Sequence, residues 1–177
     1  MSDLVLPTRT GPSIARGKSE QDVGTPRVFL DAVEKRFGKI AFDLAAIEKN
    51  AVCRGYYGPD RSVPELRDSL AQEWGEHDGT LWLNPPFSNI APWAEKCAKE
   101  CADRQAWTLL LVPASVGSNW FAEHVADRAL VLFLTGRITF VGSTQPYPKD
   151  LLLACYGFQA RGFSTWKWRP SRTELGT

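Results

Sequence analysis

The stretch Leu81-Trp82-Leu83-Asn84-Pro85-Pro86-Phe87 joins a short apolar run to two prolines and an aromatic ring. The apolar run predicts a buried β-strand. Each proline fixes its own φ at about −65°, and the first also pushes Asn84 toward an extended conformation, so the strand ends in a rigid turn. Because prolines donate no backbone hydrogen bond, the carbonyls around them and the Asn84 side-chain oxygen can accept from a planar NH2 group, and Phe87 can stack on the ring that carries it.

A second apolar segment ends in a polar residue in the same way. Residues 39–44 (KIAFDL) are largely apolar and carry Asp43 near their end. In open α/β sheets, ligands bind at the carboxyl ends of the strands. We therefore expect Asp43 and Asn84 to lie at one ligand-binding edge of a sheet.

Helical and strand-like segments alternate along much of the chain. Thr25 can cap a helix whose first residue is Pro26 and which stops at Gly38. Further helices are predicted over residues 90–103 and 118–126, and further strands over residues 107–112 and 130–134. This alternation predicts an α/β fold with a mostly parallel sheet and helices on both faces.

The segment between residues 45 and 79 has a weaker pattern. Leu66, Leu70 and Trp74 recur at helical spacing after Pro64. This spacing predicts a helix or, alternatively, a turn followed by irregular structure.

The pattern changes again beyond Gly136. Residues 138–141 and 151–156 are apolar segments with a loop and no helix between them, which predicts antiparallel strands at the C-terminal end of the sheet. Residues 163–168 can add an edge strand or pack on the surface.

Length and composition set the frame for these elements. The chain has 177 residues, which suits one domain over residues 21–170 with a flexible arm over 1–20 and a tail over 171–177. The formal charge of +1 excludes a large, uniformly basic face for nucleic acid. The four cysteines lack a second close pair or a histidine cluster, so no metal site is predicted. Without a leader pattern or a membrane-length apolar run, we expect a cytoplasmic protein.

The turn Asn84-Pro85-Pro86-Phe87 resembles the catalytic motif of amino-methyltransferases that use S-adenosylmethionine. The wider pattern resembles the phage-type DNA N-6-adenine methyltransferases. Four further pieces resemble motifs of this family in the same order: Thr25-Pro26 before the first strand, Phe42-Asp43-Leu44-Ala45-Ala46 followed by Asn50-Ala51, Asp68-Ser69-Leu70 with Trp74, and Leu134-Thr135-Gly136-Arg137-Ile138-Thr139-Phe140.

The resemblance implies a Rossmann-like methyltransferase fold, S-adenosylmethionine as methyl donor, and transfer to N6 of an adenine flipped out of DNA. It assigns the catalytic turn to Asn84, Pro85, Pro86 and Phe87. It assigns cofactor contacts to Thr25, Pro26, Asp43, Ala45, Ala46, Asp68 and Leu70, and a DNA contact to Arg137. Asp43 would lie near the methionine end or the ribose, and Asp68 would accept from the adenine amino group.

The resemblance also implies a phage or prophage protein that acts in the cytoplasm of the bacterial host. Because a single domain leaves no room for a separate recognition module, we expect loose sequence specificity. The oligomeric state stays open at this stage.

The chain departs from the family pattern at two places. Residues 43–47 contain no glycine where the family has a glycine-rich cofactor loop, and Gly24 stands where the family often has an aromatic residue. Two other functions therefore stay open. One is methyl transfer to another amide or amine, such as a protein glutamine or an RNA base. The other is a catalytically weak binding protein that retains the fold.

Overall fold

A computed structural model describes residues 23–169 and shows a mixed α/β protein built on one six-stranded sheet. The predicted arm over residues 1–20 and the predicted tail over residues 171–177 lie outside the described residues. No helix within the described range is long and apolar enough to cross a membrane.

The sheet combines parallel and antiparallel pairing. Its strands in chain order are Ile40–Asp43 (β1), Thr80–Leu83 (β2), Thr108–Pro113 (β3), Leu130–Thr135 (β4), Leu151–Tyr156 (β5) and Gly162–Lys167 (β6). Their order across the sheet is β1-β2-β3-β5-β4-β6. Parallel pairing joins β1 to β2, β2 to β3, and β4 to β6. The expected antiparallel pairing near the C-terminal end is present at β5, which runs against both β3 and β4.

Helices cover both faces of this sheet. The helix Arg27–Phe37 (α1) packs into one core, and the helices Ala91–Glu100 (α2) and Asn119–His124 (α3) pack into the other. Side chains of a strand point alternately to the two faces of a sheet. In β2, Leu83 accordingly joins the α2 and α3 side, whereas Trp82 joins the α1 side.

The start of α1 differs from the prediction. The helix begins at Arg27, and the extended Pro26 is its N-cap residue without any side-chain cap hydrogen bond. The predicted capping role of Thr25 is therefore wrong, because Pro26 occupies the cap position. Gly38 ends the helix as predicted, with a φ of 87° that favours glycine.

No α-helix forms between residues 45 and 79, so the helix predicted there is wrong and the alternative with turns and irregular structure is confirmed. The segment contains two short 3-10 turns, Pro64–Leu66 and Ser69–Ala71. Asp68 lies between them in an extended conformation, and its carboxylate accepts a hydrogen bond from the Leu70 N–H at 3.0 Å. An extended residue interrupts a helix, so the two turns cannot merge.

Residues 138–141 do not form the predicted strand. Their irregular path is held by a hydrogen bond from the Val141 N–H to the Gly24 carbonyl at 2.8 Å. Their expected partner β5 already pairs with β3 on one side and with β4 on the other, so it has no free edge for them. The strand β6 lies at the edge of the sheet beside β4, which confirms the edge-strand alternative for residues 163–168.

Candidate active site

Two polar side chains end neighbouring parallel strands. Asp43 is the last residue of β1, and Asn84 directly follows β2. Asp43 pairs with Trp82, and the Leu44 N–H donates to the Trp82 carbonyl at 2.8 Å. Both side chains therefore lie at the carboxyl edge of the sheet, as expected from the sequence.

A cavity of about 260 Å³ opens at this edge, and we call it the main cleft. Its lining contains most of the residues for which a cofactor contact is expected, together with the asparagine and the second proline of the turn: Thr25, Asp43, Ala45, Ala46, Asp68, Asn84 and Pro86. The remaining candidate residues lie outside its lining: Pro26, Leu70, Pro85, Phe87 and Arg137.

The carboxylate of Asp43 is buried at the end of β1, with 2% of the residue exposed. Its two oxygens accept backbone hydrogen bonds from Ala45 at 3.2 Å and from Val52 at 3.1 Å. Burial disfavours the charged form and raises the pKa of Asp43 to about 6, although the two backbone hydrogen bonds act in the opposite direction. The Asp43 carboxylate therefore binds the backbone at residues 45 and 52, and its charge changes at about pH 6.

The chain beyond β1 returns along its outer side. The Asp43 N–H donates to the Gly55 carbonyl at 2.9 Å, and the Tyr57 N–H donates to the Asp43 carbonyl at 3.0 Å. At Gly58 the two segments come so close that a Cβ would lie 1.8 Å from the Ala46 carbonyl oxygen. A side chain at position 58 would therefore force the two segments apart.

Tyr57 is a lining residue that the sequence reasoning missed. Its hydroxyl makes a 2.7 Å hydrogen bond with Nε2 of His77, whose ring stacks on Phe42 at 4.2 Å. Burial raises the pKa of Tyr57 and lowers the pKa of His77, so both are uncharged near neutral pH. The signal in the sequence was the run Gly55-Tyr56-Tyr57-Gly58, because glycines inside an extended aromatic segment indicate close backbone approach.

Asp68 and Leu70 have different surroundings. Asp68 is exposed and lines the main cleft, and one carboxylate oxygen is engaged by the Leu70 N–H. The Leu70 side chain packs against the hydrophobic core below. The structure therefore brings only Asp68 of this pair to the cavity.

The Asn84 side chain reaches back to the segment before α1. Its Nδ2 donates to Oγ1 of Thr25 at 3.3 Å. Pro85 is buried, whereas Pro86 is partly exposed and lines the main cleft. The turn thus presents acceptor groups next to two residues that have no N–H to donate.

Phe87 belongs to an aromatic cluster beside the main cleft. Its ring makes T-shaped contacts with Phe140 at 6.1 Å and with Tyr147 at 5.5 Å. Phe140 and Tyr147 also contact each other edge to face at 5.8 Å. These two rings come from the segment after β4, so this segment fixes the position of Phe87.

Arg137 lies outside the main cleft. Its Nε is 4.0 Å from a carboxylate oxygen of Asp150, and both side chains are exposed. Exposed ion pairs of this kind contribute little to stability. The guanidinium therefore remains open to other anions.

A second cavity of about 630 Å³ adjoins the main cleft, and we call it the side cavity. The two cavities share Thr25, Asn50 and Val52 in their linings. The side cavity also carries Arg27 and Lys49, of which Arg27 forms ion pairs with Asp31 and Glu34. Lys49 adds positive charge at the rim.

The main cleft is lined by acceptor groups, among them the carboxylates of Asp43 and Asp68, and by the cationic side chain of Arg67. Neither cysteine nor histidine lines it within the described part of the chain. The four cysteines are free thiols, and no three His, Cys, Asp or Glu side chains gather as a metal-binding group within residues 23–169. The cleft can bind hydrogen-bond donors of a ligand at Asp43 and an NH2 group at Asn84.

Comparison with known proteins agrees with this chemistry. Residues 15–152 match the protein family described as DNA N-6-adenine-methyltransferase (Dam). A curated relative, a DNA N-6-adenine-methyltransferase of Escherichia phage T1, is 30% identical over 115 residues. The match covers 65% of this chain and 45% of the relative, so the chain matches less than half of the relative's length.

Proposed function

Because the chain belongs to the DNA N-6-adenine-methyltransferase (Dam) family, we propose that it transfers a methyl group from S-adenosylmethionine to N6 of adenine in DNA. The observation that carries this proposal is the meeting of the Asn84 amide and the buried Asp43 carboxylate in one cleft at neighbouring strand ends. The sheet then acts as a Rossmann-like methyltransferase sheet, with its ligands at the carboxyl edge. The similarity to a phage T1 protein supports a phage or prophage origin.

The residues of the main cleft fit S-adenosylmethionine by their chemistry. The buried Asp43 carboxylate is an acceptor for ribose hydroxyls or for the ammonium of the methionine end. The exposed Asp68 carboxylate is an acceptor for the adenine amino group. Ala46 leaves space between them, and Trp93 offers a flat wall that is braced by stacking on Trp74 at 6.0 Å.

The turn after β2 binds the amine that receives the methyl group. Oδ1 of Asn84 and a backbone carbonyl beside Pro85 accept its two hydrogens, and neither proline competes as a donor. An amine held in this way keeps its lone pair on nitrogen instead of sharing it with the ring, so it becomes a better nucleophile. When bound, S-adenosylmethionine supplies an electrophilic methyl group on a sulfonium. The chain contributes mainly alignment, and the proton leaves the methylated amine for water.

The acceptor adenine must leave the base stack to reach Asn84. Phe87 provides a ring on which the extruded base can stack, and base–aromatic stacking is worth about 1–3 kcal/mol. Lys49 at the side cavity and the exposed Arg137 supply positive charge for phosphates. These contacts read the backbone and not the bases, which supports loose sequence specificity.

The acceptor can be identified directly. The purified full chain is incubated with methyl-tritiated S-adenosylmethionine and, in separate reactions, with DNA, RNA or bacterial protein, and the labelled products are identified by mass spectrometry after digestion. We expect N6-methyladenine in the DNA reaction. Label in RNA or protein but never in DNA would assign the site to another amine or amide. A chain that binds no S-adenosylmethionine in calorimetry and labels nothing would be a binding protein that retains the fold.

A further inference from the structure

The hydroxyl of Thr25 is not used by the helix that follows it. Pro26 is the N-cap residue of α1 and has no side-chain cap hydrogen bond, so the Thr25 hydroxyl does not cap α1. The threonine is nevertheless buried, with 7% of its surface exposed. Its Oγ1 accepts the hydrogen bond from Nδ2 of Asn84 at 3.3 Å, across 59 residues of sequence. The buried Thr25 hydroxyl therefore contacts the candidate catalytic amide and does not cap the helix.

The orientation of the Asn84 amide decides whether the turn can work. The two ends of an asparagine amide have similar size but opposite hydrogen-bonding character. With Oδ1 toward the bound amine, the side chain accepts an N–H. Turned by half a rotation, it would present its own N–H groups to the amine's hydrogens and could not hold them.

We propose that Thr25 is a positioning residue that fixes the Asn84 amide with Oδ1 toward the acceptor amine, an inference that rests on the proposed function. A lone hydroxyl could also donate to Oδ1 of a turned amide, so a second condition is needed. Thr25 lines both cavities, and its hydroxyl hydrogen can therefore go to an acceptor group of a ligand in the main cleft. Once the ligand accepts that hydrogen, Oγ1 of Thr25 can only accept a hydrogen bond from the Asn84 amide. Of the two ends of that amide, only Nδ2 can donate one. Ligand binding thus locks the amide in its working orientation.

Two substitutions separate positioning from a simple cofactor contact. Thr25→Val removes the hydroxyl with little change of shape, and Thr25→Ser keeps it. For Thr25→Val we expect kcat to fall by at least about tenfold, while the S-adenosylmethionine dissociation constant rises by no more than about fivefold, as for one neutral hydrogen bond. For Thr25→Ser we expect a kcat within about threefold of wild type.

Thr80→Val is the matched control. Thr80 is as buried as Thr25, at 6% exposed, and its hydroxyl donates to the Phe37 carbonyl at 2.9 Å at the opposite end of β2. This variant should keep the wild-type kcat. Thermal melts of the three variants show whether each one is folded.

The amide itself can be observed without activity. The chain has only four asparagines, Asn50, Asn84, Asn89 and Asn119, so a sample labelled with 15N-asparagine gives few side-chain NH2 signals, and Asn84→Asp identifies the relevant pair. In wild type we expect one Asn84 NH2 hydrogen to be shifted and to exchange slowly, and both effects to grow on addition of S-adenosylhomocysteine. In Thr25→Val both effects should vanish, and in Thr80→Val they should remain.

Three results would overturn the inference. One is a Thr25→Val variant with the wild-type kcat. Another is a variant whose kcat and cofactor affinity fall in equal proportion while the Asn84 signals stay unchanged, which would make Thr25 a cofactor contact only. The third is a wild-type spectrum in which the Asn84 pair matches the exposed Asn89 pair with and without S-adenosylhomocysteine. A wild-type protein that methylates no DNA would refute the proposed function instead, and the spectra would still decide the amide orientation.

Discussion

Replacing Gly58 with alanine tests whether the contact between Gly58 and Ala46 shapes the main cleft, the proposed cofactor site. A Cβ at this position would lie 1.8 Å from the Ala46 carbonyl oxygen and 2.9 Å from its carbon. Gly58 has no positive φ, so the cost is steric and not conformational. Both Ala46 and Gly58 line the main cleft, so any separation of the two segments changes the cavity.

The size of the effect follows from these distances. Real Cβ atoms essentially never lie under 3.0 Å from a neighbour, so the two segments must part by more than 1 Å. That movement stretches the hydrogen bond from the Ala46 N–H to the Tyr57 carbonyl, now 3.0 Å long. A lost hydrogen bond of about 1 kcal/mol and an overpacking cost of about 1–3 kcal/mol give a destabilisation of about 2–4 kcal/mol.

Urea unfolding and calorimetry with S-adenosylmethionine measure the two consequences of Gly58→Ala. We expect the unfolding free energy to fall by about 2–4 kcal/mol and the cofactor affinity of the folded protein to fall by at least about tenfold. Gly117→Ala is the matched control, because Gly117 is exposed and its added Cβ would meet no atom within 4 Å. A Gly58→Ala protein with stability and affinity like those of the control would refute the reasoning.

Three further predictions concern two buried ionisable groups, Asp43 and Arg104. Because the pKa of Asp43 is raised to about 6, its protonation should weaken S-adenosylmethionine binding as pH falls below about 6, by calorimetry. As the pH falls from about 6 to about 4, the same protonation should raise the unfolding free energy by an amount on the order of 3 kcal/mol. The Asp43→Asn protein lacks this gain. A difference in unfolding free energy between the two proteins that stays constant with pH in urea unfolding would contradict the prediction. Arg104→Met should lower the unfolding free energy by about 3 kcal/mol or more, and a loss under about 1 kcal/mol would be incompatible with its role. The Arg104 guanidinium is buried and donates to the carbonyls of His77, Gly79 and Trp107 and to the Thr108 hydroxyl.

The two strand ends that build the cleft could be predicted because their signal is local. A short apolar run followed by a polar residue already contains the information that a strand is buried and where it stops. Asp43 and Asn84 are accordingly found at the edge where they were expected. Their closeness follows from parallel pairing of β1 and β2, which alternating strands and helices favour.

The segment between the two strands could not be predicted because the spacing of its apolar residues results from burial and not from helix formation. Trp74 is fully buried, and its indole N–H donates to the Ser69 carbonyl at 2.9 Å. Its position is set by stacking on Trp93 of α2 and not by a helix of its own. The contact of Gly58 with Ala46 is likewise a tertiary contact, which no local pattern contains.

The errors at Thr25 and at residues 138–141 share one physical origin. In both cases the local preference was real, but the position that it required was occupied by another part of the chain. A threonine before a proline suits a helix cap, yet Pro26 occupies the cap position of α1, and Oγ1 of Thr25 accepts from Nδ2 of Asn84. Residues 138–141 suit a strand, yet β3 and β4 occupy both edges of β5, their expected partner. Competition of this kind is visible only once the sheet is assembled.

The dependence of DNA methylation on Asn84 tests the central claim most directly. Wild type, Asn84→Ala and the control Asn89→Ala, which changes an exposed asparagine near the same turn, are given the same DNA and S-adenosylmethionine, and N6-methyladenine is quantified by mass spectrometry. We predict that Asn84→Ala still binds the cofactor but forms N6-methyladenine at least about a hundredfold more slowly, whereas Asn89→Ala matches wild type. An Asn84→Ala protein that methylates adenine at the wild-type rate would contradict the account.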